Sequence, residues 1–431
     1  MAFTRGCDRR RGKGMRICGW IIRHKVIGGV AIVEVSSNEV RPHVLVLKRD
    51  REPELFELAR GLDVGTALCF EGEPAEAQVS KRGREYVAKS LEVHARPIEP
   101  LPVDTAGKVP ALLDTRIRYR WLLLRNPVEK AIARIRASLI DAMRRRLIER
   151  GFLEVNTPKI VAAGAEGGAT LFRVEYFENA AYLSQSPQLY KQMLVASIPK
   201  VFEITPYFRA EKFNTSRHLN ESWGVDVEEA FINGVEDVMN TLEDLVYHAI
   251  SFVADNLRDE LEVLGIELRK PARPFRRLKF EEAVDMLRGE GIEVPEGEDL
   301  SDAAERKLGE LMAEKGYDLY FIVGFPSSAT GFYYMREDDG HRTRKFDLDY
   351  RGLEIASGGQ REHRLDRLLQ NMREKGLRAE DFAFYLEAFK YGMPPHGGFG
   401  LGLERLTMSM LGLENIREAT IFVRDRTRLV P

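Results

Sequence analysis

Between Met15 and Val93 apolar and polar residues alternate in short runs: Met15 to Ile22, Gly29 to Val35, Val44 to Lys48, Ala67 to Gly72 and Tyr86 to Val93. A period of two marks strands with one buried face. A helical pattern from Pro53 to Leu62 separates the third run from the fourth. Five strands with a helix inserted there is the order of a small OB barrel, a fold that commonly takes single-stranded nucleic acid on one face. A barrel that only scaffolds its neighbour is the other reading. Prolines 97, 100, 102 and 110 then punctuate the chain, which ends in the basic and aromatic run Arg116 to Arg125 and reads as a linker. From Asn126 the period lengthens. Val128, Ile132, Ile135, Leu139 and Met143 form one helical stripe, with Asn126 as cap, Pro127 in the first turn and Gly151 as stop. A strand closed by Pro158 follows. Beyond it, strands and helices mix without regular βαβ alternation, which predicts an α+β fold. The expected organisation is a barrel over 1–100, a hinge over 101–125 and a larger domain over 126–431.

The most informative alternation lies at Val201 to Phe208 and resumes at Trp223, Val225 and Val227. Between these runs stands Phe208-Arg209-Ala210-Glu211-Lys212-Phe213-Asn214-Thr215-Ser216-Arg217-His218-Leu219-Asn220-Glu221, a turn dense in charge. Arg209 and Glu211 would share one face. A guanidinium can fork onto phosphate oxygens while the carboxylate two residues on receives an amine or a hydroxyl, as a nucleotide requires. Taken alone, the same run reads as a charged surface hairpin.

Composition narrows the classes. A chain of 431 residues exceeds one ordinary core, and no apolar run has the length of a membrane span. The start lacks the apolar core of a signal peptide, so a cytoplasmic protein with no membrane partner is expected. Cys7, Cys18 and Cys69 make neither a CxxC pair nor an even framework, and are expected to be bystanders. With a net charge of −2, any RNA contact must be local, although Arg5, Arg9, Arg10, Arg11, Lys13 and Arg16 crowd the N-terminus. The 31% of charged residues and only six glutamines lean toward a thermophile. No GxxxxGK[ST] or GxGxxG element follows a strand, so ATP chemistry would have to use arginines on a sheet.

Three segments in order decide the matter: the helix and strand from Arg144 to Pro158, the Phe208-Arg209-Ala210-Glu211 turn, and Gly397-Gly398-Phe399-Gly400-Leu401-Gly402-Leu403-Glu404-Arg405-Leu406. Together they resemble the three signature motifs of class II aminoacyl-tRNA synthetases. Within that class the chain is most similar to the aspartyl, asparaginyl and lysyl subgroup, in its archaeal aspartyl branch. The resemblance covers nearly all of 126–431 and implies a catalytic domain built on an antiparallel sheet flanked by helices.

The resemblance also implies roles. Arg209 would hold the ATP α-phosphate, Glu211 the adenine amino group, Arg217 and His218 the outer phosphates or the nearby loop, and Arg405 the base and γ-phosphate. Asp347, Glu354 and Ser357 would ligate Mg²⁺, with Glu354 also serving ATP. Glu166, in a loop that closes over the amino acid, would bind L-aspartate together with Gln188, Lys191, Arg209, Ser357 and Arg361. Lys191 and Arg361 would neutralise its β-carboxylate; asparagine would leave both buried without a counter-charge. Arg209, Arg405 and Glu354 would be the catalytic set. The implied activity is formation of aspartyl-adenylate and transfer to the 3′ end of tRNA-Asp, by a homodimer whose interface includes the helix Val128 to Arg150. The turn from Lys212 to Ser216 would meet the acceptor end. Related barrels carry an aromatic residue and a glutamine that read the anticodon; here Ile32 and His43 stand near those places, leaving Trp20 and Lys81 as tRNA contacts. A barrel so altered leaves tRNA-Asn open as a second acceptor. Ser222 and Thr330-Gly331-Phe332-Tyr333 also depart from the common pattern. The alternatives are an AMP-forming asparagine synthetase of this subgroup and a tRNA-binding paralogue that does not charge.

Overall fold

The computed structural model describes residues 15–76, 78, 80–162, 171–212 and 214–431. Glu166, Phe213, Cys7 and the basic cluster from Arg5 to Lys13 lie outside the described residues. The chain divides into two compact units. One holds the described residues up to Ala137 with Val253–Leu268 and Val430–Pro431; the other holds Ser138–Phe252 and Arg269–Leu429.

In the first unit β1 (Met15–Ile27), β2 (Val30–Ser36), β3 (His43–Lys48), β4 (Ala67–Pro74) and β5 (Arg84–Ala95) close into a barrel in the order β1-β2-β3-β5-β4. The helix Pro53–Arg60 lies between β3 and β4 in the chain, and Phe56 and Ala59 on its inner face join the barrel core with Ile21, Val33, Leu45 and Phe70. β1 runs five residues beyond the predicted run because Arg23 and Lys25 still pair in register with Glu34 and Ile32, up to the turn where Gly28 takes a φ of 56°. Only glycine takes that conformation without strain.

The cysteine expectation needs correction. Cys18 and Cys69 are directly opposed in the β1–β4 ladder and form a disulfide, with their Cα atoms 4.0 Å apart. Fifty-one residues of sequence separate them, so the pairing is visible only once the barrel closes. Replacing both cysteines by serine is expected to lower stability by roughly 2–4 kcal/mol, read as a denaturant midpoint that falls to that of the reduced wild type.

The predicted linker is not featureless. It contains the helices Leu113–Arg118 and Arg120–Leu123, whose Leu122 and Leu123 pack on Val103. The long helix Pro127–Glu149 follows as expected, and its cap is confirmed: Asn126 Oδ1 accepts from the Val128 amide at 2.8 Å.

The second unit is built on an eight-stranded sheet. Its strands are β6 (Leu153–Glu154), β10 (Lys200–Phe208), β11 (Glu221–Ala230), β12 (Arg276–Lys279), β13 (Leu319–Val323), β14 (Lys345–Tyr350), β15 (Glu354–Gln360) and β16 (His396–Gly402), in the order β12-β13-β14-β15-β16-β11-β10-β6. The expected antiparallel pattern holds from β13 to β10, whereas the two outer pairs, β12–β13 and β10–β6, are parallel. A small sheet of β7 (Ile160–Val161), β9 (Asn179–Leu183) and β8 (Arg173–Tyr176) stands apart from it. Only two residues of the predicted strand before Pro158 are in a ladder. The predicted hairpin is present: Phe208 pairs with Glu221, and twelve residues connect the two strands.

Candidate active site

A cleft of about 660 Å³ opens on the large sheet. Arg209, Glu211, Arg217, His218, Glu354, Ser357, Gln188 and Arg405 all line it, so residues from four separate stretches of sequence converge there. The connection after β10 is fixed by its own backbone. The Arg209 amide donates to Asn220 O at 2.9 Å, and the Asn220 side-chain amide returns a bond to Arg209 O at 2.6 Å. Arg209 and Glu211 therefore face the cleft as the alternation predicted.

Arg405 stands at the start of the helix Leu403–Leu411 and donates from Nη1 to Glu354 O at 2.9 Å and Glu354 Oε2 at 3.2 Å. Burial by itself would raise the Glu354 carboxyl; Arg405, Lys345 and Arg209 together outweigh it and hold the group below its usual range. Arg217 is committed to the protein, with Nη2 bonded to Gly352 O at 3.0 Å and Nη1 3.3 Å from Glu305. Burial lowers the His218 imidazole, which shares a 2.6 Å hydrogen bond with Thr215 Oγ1. Burial, with Asp349 and Glu354 nearby, pushes Glu305 up to about 9.

The two expected cations of the amino-acid pocket lie behind the cleft wall. Lys191, on the helix Gln188–Leu194, donates to Asp226 Oδ1 at 3.0 Å and to the carbonyls of Phe399 and Val227, and stands 3.3 Å from Glu228. Arg361 Nε donates to Glu228 Oε1 at 3.0 Å and Nη2 to Gly398 O at 2.9 Å, while the guanidinium lies over Tyr334. Both cations are thus already countered by Glu228 and Asp226. What lines the cleft is Asp226, whose Oδ2 is buried and has no protein partner among the described residues; Tyr207 OH and Glu211 Oε2, also on the cleft, and Arg361 Nη1, behind its wall, are in the same condition. Buried polar atoms without partners are rare in folded proteins, and here they point to a polar ligand. Burial raises the Asp226 carboxyl despite Lys191.

Sequence reasoning missed Asp226, Tyr207 and Lys345. Asp226 and Glu228 sit two apart in an apolar strand, a spacing that puts both acids on one buried face; that was the available signal.

Asp347, Glu354 and Ser357 are the three expected donors for a divalent ion. Asp347 and Ser357 are cross-strand partners in β14–β15. Each carboxylate, however, already holds a protein cation: Lys345 Nζ donates to Asp347 Oδ2 at 2.7 Å, and Arg405 engages Glu354. Lys345 lines the cleft and Asp347 does not. Among the described residues no group of three or more His, Cys, Asp or Glu is disposed to hold a metal ion. The set does not fit a protein-held Mg²⁺. Burial, with Glu354 adding and Lys345 opposing, pushes Asp347 up to about 7.

The glycines of β16 have two different reasons. Gly400 and Gly402 line the cleft. Gly397 and Gly398 lie between β11 and β15, and a Cβ on Gly398 would come within 2.0 Å of Val227 O and 2.1 Å of Glu228 Oε2. Gly398→Ala is expected to destabilise the large unit by about 1–3 kcal/mol, whereas Gly402→Ala, with its nearest neighbour the Arg405 side chain at 3.7 Å, leaves the melting temperature unchanged in differential scanning calorimetry.

In the first unit Trp20 is exposed, and the Arg125 guanidinium sits 4.9 Å over its ring; Lys81 is exposed as well. His43 is not a surface reader. It is buried, bonded to Ser37 Oγ at 2.7 Å and packed edge-on against Tyr86, and burial drives its pKa down to about 4.

Comparison with known proteins agrees with this geometry. The profile described as tRNA synthetases class II (D, K and N) matches residues 113–426. The chain is 48% identical to an aspartate–tRNA(Asp) ligase of Pyrococcus abyssi, with 97% of each chain covered. It is 47% identical to an aspartate–tRNA(Asp/Asn) ligase of Methanopyrus kandleri over 98% of this chain and 97% of that one. Among solved structures it resembles the asparaginyl-tRNA synthetase of Pyrococcus horikoshii complexed with asparaginyl-adenylate, with a TM-score of 0.88 and 33% identity over 97% and 96% of the two chains. It also resembles an aspartyl-tRNA synthetase of Entamoeba histolytica, with a TM-score of 0.83 and 30% identity over 97% and 90%. With its motifs in one cleft and its relatives matched nearly end to end, the chain belongs to the class II tRNA synthetases of the D, K and N group.

Proposed function

We propose that this protein is an aspartate–tRNA ligase that activates L-aspartate with ATP. The observation that carries the reading is the convergence of Arg209, Glu211, Glu354 and Arg405 on one polar cleft whose inner wall is the Lys191–Asp226–Glu228–Arg361 network. An aspartate α-carboxylate oxygen attacks the α-phosphorus of ATP, the bond to the pyrophosphate oxygen breaks, and aspartyl-adenylate and pyrophosphate result. Arg209 and Arg405 stabilise the negative charge that builds on the phosphoryl oxygens. Glu211 accepts from the adenine amino group. Mg²⁺ is part of the nucleotide substrate, arriving with its phosphates. The ribose hydroxyl of the tRNA end then attacks the adenylate carbonyl and AMP leaves.

For aspartate, Arg361 Nη1, behind the cleft wall, is the donor left over after Glu228 is satisfied, and Asp226 Oδ2 is the matching acceptor for the α-ammonium; Gln188 and Ser357 line the same cleft as Asp226. Glu166 belongs to the proposed aspartate set by resemblance. The barrel, read as an OB fold, is proposed to bind the anticodon of tRNA-Asp and also tRNA-Asn, with Trp20 and Lys81 on its exposed surface. A cytoplasmic homodimer is the expected form, and the exposed Val128, Ile148 and Leu153 suit an interface. No helix among the described residues is long and apolar enough to cross a membrane.

The test is exchange of labelled pyrophosphate into ATP with aspartate and with asparagine, followed by charging of tRNA-Asp and tRNA-Asn transcripts. Aspartate-dependent exchange with charging of tRNA-Asp is expected. Exchange without charging would favour the AMP-forming asparagine synthetase. Sedimentation showing only a 49.1 kDa species would count against the dimer.

A further inference from the structure

The corner of the cleft between β14 and the segment around Asp299 contains a cation supplied by the chain itself. Lys345 Nζ donates to Asp347 Oδ2 at 2.7 Å and lies 3.4 Å from Asp299 Oδ2. On its other side the Phe325 ring centroid is 3.6 Å away, which fixes the ammonium between two carboxylates and an aromatic face. The side chain is only 10% exposed, so it is a built component of the wall rather than a surface lysine.

Two strand positions further along, Asp347 retains one buried oxygen, Oδ1, with no protein partner among the described residues. A divalent ion seeking Asp347 and Glu354 would have to approach a carboxylate whose other oxygen is neutralised at hydrogen-bond distance. It would also have to sit beside a fixed positive charge. Mg²⁺ demands near-octahedral oxygen donors and sheds its waters reluctantly, so a site in which both carboxylates hold protein cations offers it little.

We propose that Lys345 is the resident cation of the Asp299–Asp347 corner, standing where a protein-held divalent ion would otherwise sit, so that this protein takes up divalent metal only together with its nucleotide. Lys345 is then a positioning residue: its ammonium keeps Asp347 and the neighbouring Glu354 from repelling the phosphates without any metal bound in advance. This second part rests on the reading of the cleft as an ATP site; the first part does not.

The experiment uses the full chain and Mn²⁺ as probe, followed by the loss of the free-ion electron paramagnetic resonance signal in the absence of nucleotide. Wild type is expected to leave the signal at its buffer level. Lys345→Ser, which removes the ammonium and leaves the carboxylates, is expected to acquire a bound Mn²⁺ that is lost again in Lys345→Ser with Asp347→Asn. Mn²⁺ bound by the wild type and lost in Asp347→Asn overturns the proposal, as does a folded Lys345→Ser that gains none. If circular dichroism shows that Lys345→Ser does not fold, the wild type and Asp347→Asn decide alone. A parallel measurement of pyrophosphate exchange should show wild-type rates saturating when Mg²⁺ matches ATP, and Lys345→Ser needing an excess. Failure of the nucleotide reading would appear as absence of exchange in the wild type, which leaves the Mn²⁺ result untouched.

Discussion

Arg209→Ala is expected to lower aspartate-dependent exchange of pyrophosphate into ATP by about a thousandfold, with the fold retained. The retention follows from the backbone. The bonds that hold this connection run between the Arg209 main chain and Asn220, and the Asn220 backbone amide in turn donates to Arg424 O at 2.9 Å, none of which involves the guanidinium. The loss follows from the charge that an arginine places on the face of the sheet where the α-phosphate would react. Arg405 is tied to Glu354 and cannot replace it. An unchanged melting curve with near-normal exchange would refute the role assigned to Arg209.

The second large effect lies in the buried network behind the cleft, the proposed amino-acid pocket. Arg361→Ala is expected to cost about 3–5 kcal/mol of stability, because it strips a fully buried Glu228 of its bidentate partner and leaves only Lys191 beside it. Burial and the paired charge oppose each other at Glu228, and with Arg361 and Lys191 in place the carboxyl is held below its usual range. Removing the guanidinium lets burial dominate. The variant should also need far more aspartate for exchange, since Nη1 is the donor left for a substrate carboxylate. Guanidinium denaturation gives the first quantity and the aspartate KM the second. A stability loss under about 1 kcal/mol, the range of an exposed ion pair, would show that the pair is not the buried network described.

Much of this architecture was legible because alternation is a strong signal where one face of a strand is buried. The five barrel runs, the helix Pro53–Arg60 and the hairpin around Arg209 follow directly from it. The linker misled because Arg116, Arg118 and Arg120 mask the apolar contacts of Ile117, Leu122 and Leu123, and a helix of four to six residues is too short for its period to show. The residues that line the cleft at Arg209, Glu211 and Arg405 were legible through local motifs. Asp226 and Lys345 were not, since charges on a strand read as a solvated face until the packing that buries them is known. Cys18 and Cys69 failed for the same reason. Cys69 is far from Cys18 in sequence and adjacent to it only in the ladder.

The glycine strand β16 has a further consequence, for how such a site can diverge. It lies near the middle of the sheet, hydrogen-bonded on both edges, and contributes backbone to the cleft at Gly400 and Gly402. A floor made of main chain cannot be rewritten by exchanging side chains. A change of ligand specificity would therefore have to come from the side chains on either side, the acids of β11, Arg361 after β15 and Lys191 on the helix Gln188–Leu194.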